Sequence, residues 1–542
     1  MSSLLSPVAA AVPVALSWRR RVRRVWRRGR ALLWDRRVLA LAALGFSAGL
    51  PLLLIFSSLS LWLGEAGVER RAVTFFSWAA LAYSFKFVWA PLVDRVPLPV
   101  LTACLGRRRS WLLLAQLGVI AAILGMAATD PAAGPAALVR MAAFAVLLGF
   151  MSATQDIVID AYRIEVAGVR RQGVLSSAYV AGYRVGMVVA GAGVLFLASA
   201  WGSAKGQYVY GAWAAAYGCA ALAMGVGVAT TLLVREPAVD VGVAARPAGE
   251  HARLLAVFAA AVAAFIAVFW GWDAAWALPP PGPLAALVWE TLRLLLALAA
   301  AAAVGTVLVR LGVARADAAR ATWVEPVRAF FARHGWADAA LLLAIVGLYR
   351  ISDIVLGVIS NMFYQDVGFS KAEIATAVKT FGVVVSIAGG FVGGLLAAGL
   401  GVLRALWWGA LLSALTNLAF VGLALVGPQR ALLYAVVTAD NLAAGLASAA
   451  FVAFLSSLTQ VRFTAAQYAI FSSLMTLLPK TLGGYAGTLV DALGYPGFFV
   501  LTTLLGLPVL GLVSWAGRRL PLPGATRAPV ADAAARAGAR SG

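Results

Sequence analysis

"LALAALGFSAGLPLLLIFSSLSLWL" occupies residues 39–63 without a single charged side chain. At about 1.5 Å of rise per residue, such a run crosses roughly 30 Å of hydrocarbon as a helix, which satisfies its own backbone polar groups where no water can. A second run, "LLAVFAAAVAAFIAVFW" (254–270), has the same character. The 542 residues are 62% hydrophobic and 12% charged, whereas an ordinary soluble domain is about 25% charged. A transmembrane β-barrel would instead show alternating segments of about 10 residues. The expected class is therefore an all-α membrane protein.

Apolar runs between polar breaks predict about 14 spanning helices, near 39–63, 74–93, 111–128, 138–160, 173–198, 207–234, 254–272, 284–309, 339–363, 374–397, 404–426, 432–458, 466–489 and 496–517. Loops on the amino-terminal side hold about 17 basic residues and the opposite loops about 5, a bias that places both termini in the cytoplasm. The expected organisation is a basic amino-terminal arm (1–38), a six-helix bundle (39–235), an inserted helix pair (254–309), a cytoplasmic linker (310–338), a second six-helix bundle (339–517) and a disordered tail (518–542). "GVLSSAYVAGYRVG" (173–186) and "AIFSSLMTLLPKTLGG" (469–484) both place a cation eight residues after their first serine, at Arg184 and Lys480. Parallel six-helix repeats with a substrate cavity between them form a known transporter plan.

The net charge of +22 does not point to nucleic acid, because the arginines lie between apolar runs rather than along one soluble face. "WRRRVRRVWRRGR" (18–30) reads as an anchor to anionic lipid. Cys104 and Cys219 read as packing residues, with neither a disulfide framework nor metal-ligand spacing. His251 and His334 are placed in loops, so neither a histidine metal site nor a buried histidine relay is expected, and no cofactor is implied.

An ionised side chain at the centre of a spanning helix costs about 2.5–3.5 kcal/mol on insertion scales, so it normally faces a partner or a water-filled cavity. Here Lys86, Gln155, Asp156, Asp160, Arg184, Arg350, Asp353, Lys379, Asp440 and Lys480 all fall within predicted spans. Asp156 and Asp160 share one helix face, with Arg163 three residues further on. Two neighbouring carboxylates in low dielectric do not both ionise cheaply, which suggests a proton carrier; pairing of Asp160 with Arg163 at the membrane edge is the purely structural alternative. Arg350 and Asp353 are likewise three apart and either neutralise one another or divide between substrate contact and proton coupling. Proton coupling is thus expected among Asp156, Asp160, Asp353 and Asp440. Lys86, Arg184, Arg350, Lys379 and Lys480 are expected to bind an anionic substrate.

The loop after the second helix carries Asp94, Arg95, Arg107, Arg108 and Arg109 and resembles the cytoplasmic gate signature of the major facilitator superfamily, with Ala90 in the usual glycine place. The stretches "GFSAGLPL" (45–52), "AYSFKFVWAPLVDR" (82–95), "SATQDIVIDAYR" (152–163), "GYRVGMVVAG" (182–191), "LYRISD" (348–353), "VKTFG" (378–382) and "FTAAQYAIFSSL" (463–474) together resemble the AmpG-type anhydromuropeptide permeases of that superfamily. That resemblance implies a major facilitator fold with two helices inserted between its halves. It also implies a bacterial inner-membrane location and proton-driven import of N-acetylglucosaminyl-anhydro-N-acetylmuramic acid, with or without peptide, for cell-wall recycling. The partners it implies are an anionic glycopeptide, protons and the bilayer, with Gln155 among the substrate-binding residues and Trp62, Tyr83, Phe85 or Trp89 as stacking surfaces for sugar rings; the carrier is expected to be a monomer. Asp440 stands where a glutamate is common, and nothing functional transfers to 236–338. A carrier of another large anion, such as an acyl-CoA, is the alternative.

Overall fold

In the computed structural model, which describes residues 35–68, 83, 85–204, 206–238, 248–275, 283–483 and 486–520, almost the whole backbone is helical. The helices that build the fold are α1 (Arg36–Glu65), α2 (Ala90–Arg95), α3 (Arg107–Ala127), α4 (Pro135–Glu165), α5 (Arg171–Ala200), α6 (Tyr210–Leu233), α7 (Ala248–Ala275), α8 (Pro283–Arg310), α9 (Glu325–His334), α10 (Trp336–Ser360), α11 (Thr376–Leu400), α12 (Val402–Val426), α13 (Arg430–Leu458), α14 (Thr464–Gly483) and α15 (Ala486–Arg519). Among the described residues, twelve of these are long and apolar enough to cross a membrane. The other two of the expected fourteen are not recovered as full spans. The stretch 74–93 lies mostly outside the described residues, and 466–489 falls largely on α14, whose Gln467, Ser472, Ser473 and Pro479 dilute its apolar character.

Helix breaks coincide with the predicted charges. α10 unwinds at Tyr349 and Arg350, so that Arg350 stands at the start of a new helical segment and Asp353 in its first turn. A π-helical turn, Ala375–Phe381, leads α11 and contains Lys379, and a second, Val189–Gly193, follows Arg184 in α5. Such wide turns recur at functional sites because they displace side chains from the regular register.

Backbone contact between helices fixes the site's walls. A Cβ on Gly182 would lie 1.8 Å from the Ala42 carbonyl oxygen, and one on Gly45 2.1 Å from that of Tyr179. α1 and α5 therefore touch main chain to main chain at the level of Tyr179 and Tyr183, which only glycine permits.

Two apolar cores are private to one part of the chain, one around Leu54, Trp62, Ile123 and Trp213 and one around Phe363, Phe420, Phe498 and Phe499. The other two are shared: Ala465 and Ala469 join Leu44, Val93 and Val158, while Ile164 joins Phe451 and Phe454. Both shared cores lie toward the end that bears Asp94 and Arg108. The two helix sets are thus fused at the arginine-rich end. α7 and α8 pack chiefly on each other, through Trp272 against Trp289 at 5.0 Å and the Arg293 guanidinium 4.0 Å over the Phe269 ring. Leu254 and Val257 tie that hairpin to the first shared core.

The linker is more structured than a plain loop. Trp323 donates to the Val88 carbonyl, while Gln460 and Gln467 donate to the carbonyls of Ala329 and Pro326, so the linker straps α2 to α14. Two expectations are corrected. Cys104 and Cys219 are both exposed rather than packed, because each sits on a helix face that meets no neighbour. His251 and His334 lie on helix ends, in the first turn of α7 and at the close of α9, rather than in loops.

Candidate functional site: a charge-lined seam between helix sets

At the arginine-rich end, Arg108 is fully buried between two carboxylates, 2.7 Å from Asp94 and 3.0 Å (Nε to Oε2) from Glu165. Asp94 in turn accepts hydrogen bonds from the backbone N–H groups of Ala465 (3.1 Å) and Ala466 (2.9 Å), and Glu165 accepts from the Thr464 hydroxyl at 2.7 Å. Those N–H groups are the unsatisfied donors of the first turn of α14, where a carboxylate is favoured both as a cap and by the helix dipole. Arg107 donates to the Asp94 carbonyl and approaches Glu165. The backbone N–H groups of Arg108 and Arg109 are taken by Glu236, and the Arg109 side chain caps the carbonyls of Thr231 and Leu232. Arg95 lies 5.9 Å from the Phe463 ring. The predicted gate residues are therefore assembled, and they clamp α2–α4 onto α14. Glu165 and Glu236, absent from the sequence expectation, supply two of the three carboxylates of this cluster; the final acid of "AYRIE" was the readable sign of the first.

One helical level deeper, Asp160 is shared by two cations, Arg163 at 3.2 Å and Lys86 at 3.9 Å. Arg163 is fully buried and also donates to Gln172, Ser176 and, across to α13, Ser456 at 2.7 Å, while its guanidinium sits 5.2 Å over the Tyr468 ring of α14. The structural alternative for Asp160, a simple pair with Arg163, is thus realised but incomplete: Arg163 is also a bridge between helix sets. Asp156, one turn away, is buried and feels the charges of Lys86 and Asp160. Among the described residues its Oδ1 has no hydrogen-bond partner, and neither amide atom of the fully buried Gln155 has one. Tyr83, Tyr179 and Tyr183 surround that carboxylate.

Tyr183 also feels Arg184, which leads to the second group of charges. Arg184 of α5 lies within electrostatic reach of Arg350 and Asp440, from α10 and α13. Arg350 pairs with Asp353 at 3.2 Å and bonds the Ser448 hydroxyl, and Asp440 feels Asp353, Arg350 and Arg184. Two guanidinium groups on opposite walls, with no carboxylate salt-bridged to Arg184 among the described residues, form a cationic pair suited to an anion. Four separate helices thus contribute to one seam of charge running from Asp160 to Asp353.

Trp62 departs from the expectation. It is fully buried, stacks on Trp213 at 5.7 Å and donates its indole N–H to Tyr208. It is a core residue away from the seam. Lys379 and Lys480 stand on described helices, but their side chains lie outside the described residues. Tyr179, Tyr468, Ser448 and Ser456 enter the seam without having been singled out, because hydroxyl-bearing residues on an apolar helix carry no sequence signal of which neighbour they meet.

Residues 37–225 match the family model described as acetyl-coenzyme A transporter 1. Over 486 residues the chain is 28% identical to "Putative transporter AmpG 4" of Rickettsia felis, covering 90% of this chain and 98% of that protein. To the anhydromuropeptide permease of Escherichia coli K12 it is 30% identical over 474 residues, 87% of this chain and 78% of the permease. The solved structure of the proton:xylose symporter XylE bound to 6-bromo-6-deoxy-D-glucose superposes with a TM-score of 0.58 at 14% identity, covering 90% of this chain and 96% of that one. The likeness to XylE speaks for the fold alone. Similarity over most of the chain, twelve apolar spans among the described residues and a charged seam between two helix sets converge: the chain is a membrane transporter of the major facilitator fold and belongs to the AmpG-type anhydromuropeptide permease family.

Proposed function

We propose that the protein imports anhydromuropeptides, the anhydro-disaccharide with or without its stem peptide, from periplasm to cytoplasm in symport with protons. The observation that carries this reading is that Arg184 lies within electrostatic reach of Arg350 and Asp440 on the opposite wall, where Arg350 pairs with Asp353. A substrate carboxylate between the two guanidinium groups replaces their mutual repulsion with charge-assisted hydrogen bonds, and the tyrosines beside Asp156 offer faces for sugar rings. Asp156, held near Lys86 and Asp160, is the proton carrier. Asp353 and Asp440 complete the relay on the far wall, and Gln155 orients the substrate. The arginine-rich end faces the cytoplasm, both termini lie on the cytoplasmic side of the bacterial inner membrane, and the carrier works as a monomer.

The capped start of α14 gives alternating access a concrete barrier. Opening toward the cytoplasm pulls the first turn of α14 away from Asp94 and Glu165, and Arg163 away from Ser456. In this arrangement that end is shut, so the seam is poised to receive substrate from the other side. A second reading, transport of an acyl-CoA, is favoured by the match of residues 37–225 to the acetyl-coenzyme A transporter model. Competition separates the two. Uptake of labelled anhydromuropeptide into proteoliposomes is expected to be inhibited by unlabelled anhydro-disaccharide peptide and untouched by acetyl-CoA, and Arg184→Ala or Arg350→Ala is expected to raise KM at least tenfold. Inhibition by acetyl-CoA alone would transfer the function to the second reading.

A further inference from the structure

We propose that the groove between the start of α12 and the end of α15 is a specific site for the headgroup of an anionic phospholipid in the leaflet at the arginine-rich end. The groove has a volume of about 280 Å³ and is lined by Leu403, Arg404, Trp407, Val513, Ser514 and Gly517. Leu403 and Val513 form an apolar wall of acyl-chain character, and Trp407 stands at the level where indole rings collect in the membrane interface.

Beside that wall sit the cations. Arg404 is exposed and makes no hydrogen bond or ion pair among the described residues, and the same holds for Arg518, next to the lining Gly517. Arg519, by contrast, is spent on Asp338 at 2.6 Å. Trp408 and Trp515, both about half exposed, flank the site on the two helices, and Trp407 meets Trp408 edge to face at 5.2 Å. Two unpaired guanidinium groups, a hydroxyl at Ser514 and an aromatic rim at one membrane level fit a lipid phosphodiester whose chains continue down the apolar wall. The wall is what favours lipid over soluble phosphate, which has no use for it. Gly517 keeps the groove open: a Cβ there would meet only Leu403 Cδ1, at 3.9 Å.

The test is native mass spectrometry of the full chain in detergent, titrated with cardiolipin, phosphatidylglycerol or phosphatidylcholine. The wild-type protein is expected to retain cardiolipin and phosphatidylglycerol at least fivefold more than phosphatidylcholine. Arg404→Ala/Arg518→Ala should lose that preference, whereas Arg310→Ala/Arg320→Ala, which removes the same charge elsewhere at the same end, should keep it. Gly517→Leu fills the groove without altering charge and is expected to lower retention at least threefold, with elution and melting as for wild type. Equal loss in both arginine pairs, or full retention by Gly517→Leu, would reduce the site to general surface attraction and overturn the proposal. Displacement of the lipid by 10 mM-scale inorganic phosphate (about a thousandfold the protein, by mass action) would overturn it as well, by assigning the site to a soluble anion.

Discussion

Asp156→Asn is expected to abolish concentrative uptake of anhydromuropeptide while leaving substrate exchange measurable. The substitution keeps the shape of the side chain and removes its capacity to take up and release a proton. Asp156 is the carboxylate of the seam that combines burial, a neighbouring acid, a neighbouring ammonium and an oxygen with no partner among the described residues. Each proton carried inward supplies about 2.3 kcal/mol per 100 mV, and about 1.4 kcal/mol corresponds to a tenfold ratio. Loss of the carrier therefore returns accumulation to equilibrium, a fall of tenfold or more at 100 mV. Accumulation by Asp156→Asn at the wild-type ratio would move proton coupling to another acid.

The second large effect is expected at Arg108. Arg108→Ala leaves Asp94 and Glu165 buried and facing one another without their shared cation. Breaking a buried ion pair from one side costs about 3–5 kcal/mol, since the remaining charge stays desolvated. The variant should melt well below wild type in detergent. Arg108→Lys should recover only part of the loss, because an ammonium does not span two carboxylates as a guanidinium fork does. A melting point for Arg108→Ala equal to wild type would show that the clamp contributes nothing to holding α14 in place.

How far the sequence reached differs between the two levels of the site. Membrane spans were legible because apolar runs of about 20 residues have one physical explanation. The charges were legible because an ionised group inside a span demands a partner. Partner identity was legible only at helical spacing, as for Asp160 with Arg163 and Arg350 with Asp353. Arg163 also reaches Ser456, 293 residues away, and Asp94 reaches the backbone of Ala465 and Ala466, contacts that only tertiary packing creates. Trp62 shows the opposite failure: an aromatic on an apolar helix looks available for sugar until Trp213 and Tyr217 are found covering it. α14 blurred the helix count partly because its Thr464 and Gln467 are spent on the clamp and the linker rather than on lipid.

The most direct test of a shared proton and substrate path is simultaneous flux. In proteoliposomes without an imposed gradient, adding anhydromuropeptide outside should drive protons inward with it, read by a pH dye in the lumen, in constant ratio to labelled substrate entry. Luminal acidification that scales with uptake is the predicted result. Substrate entry with no proton movement would contradict the account.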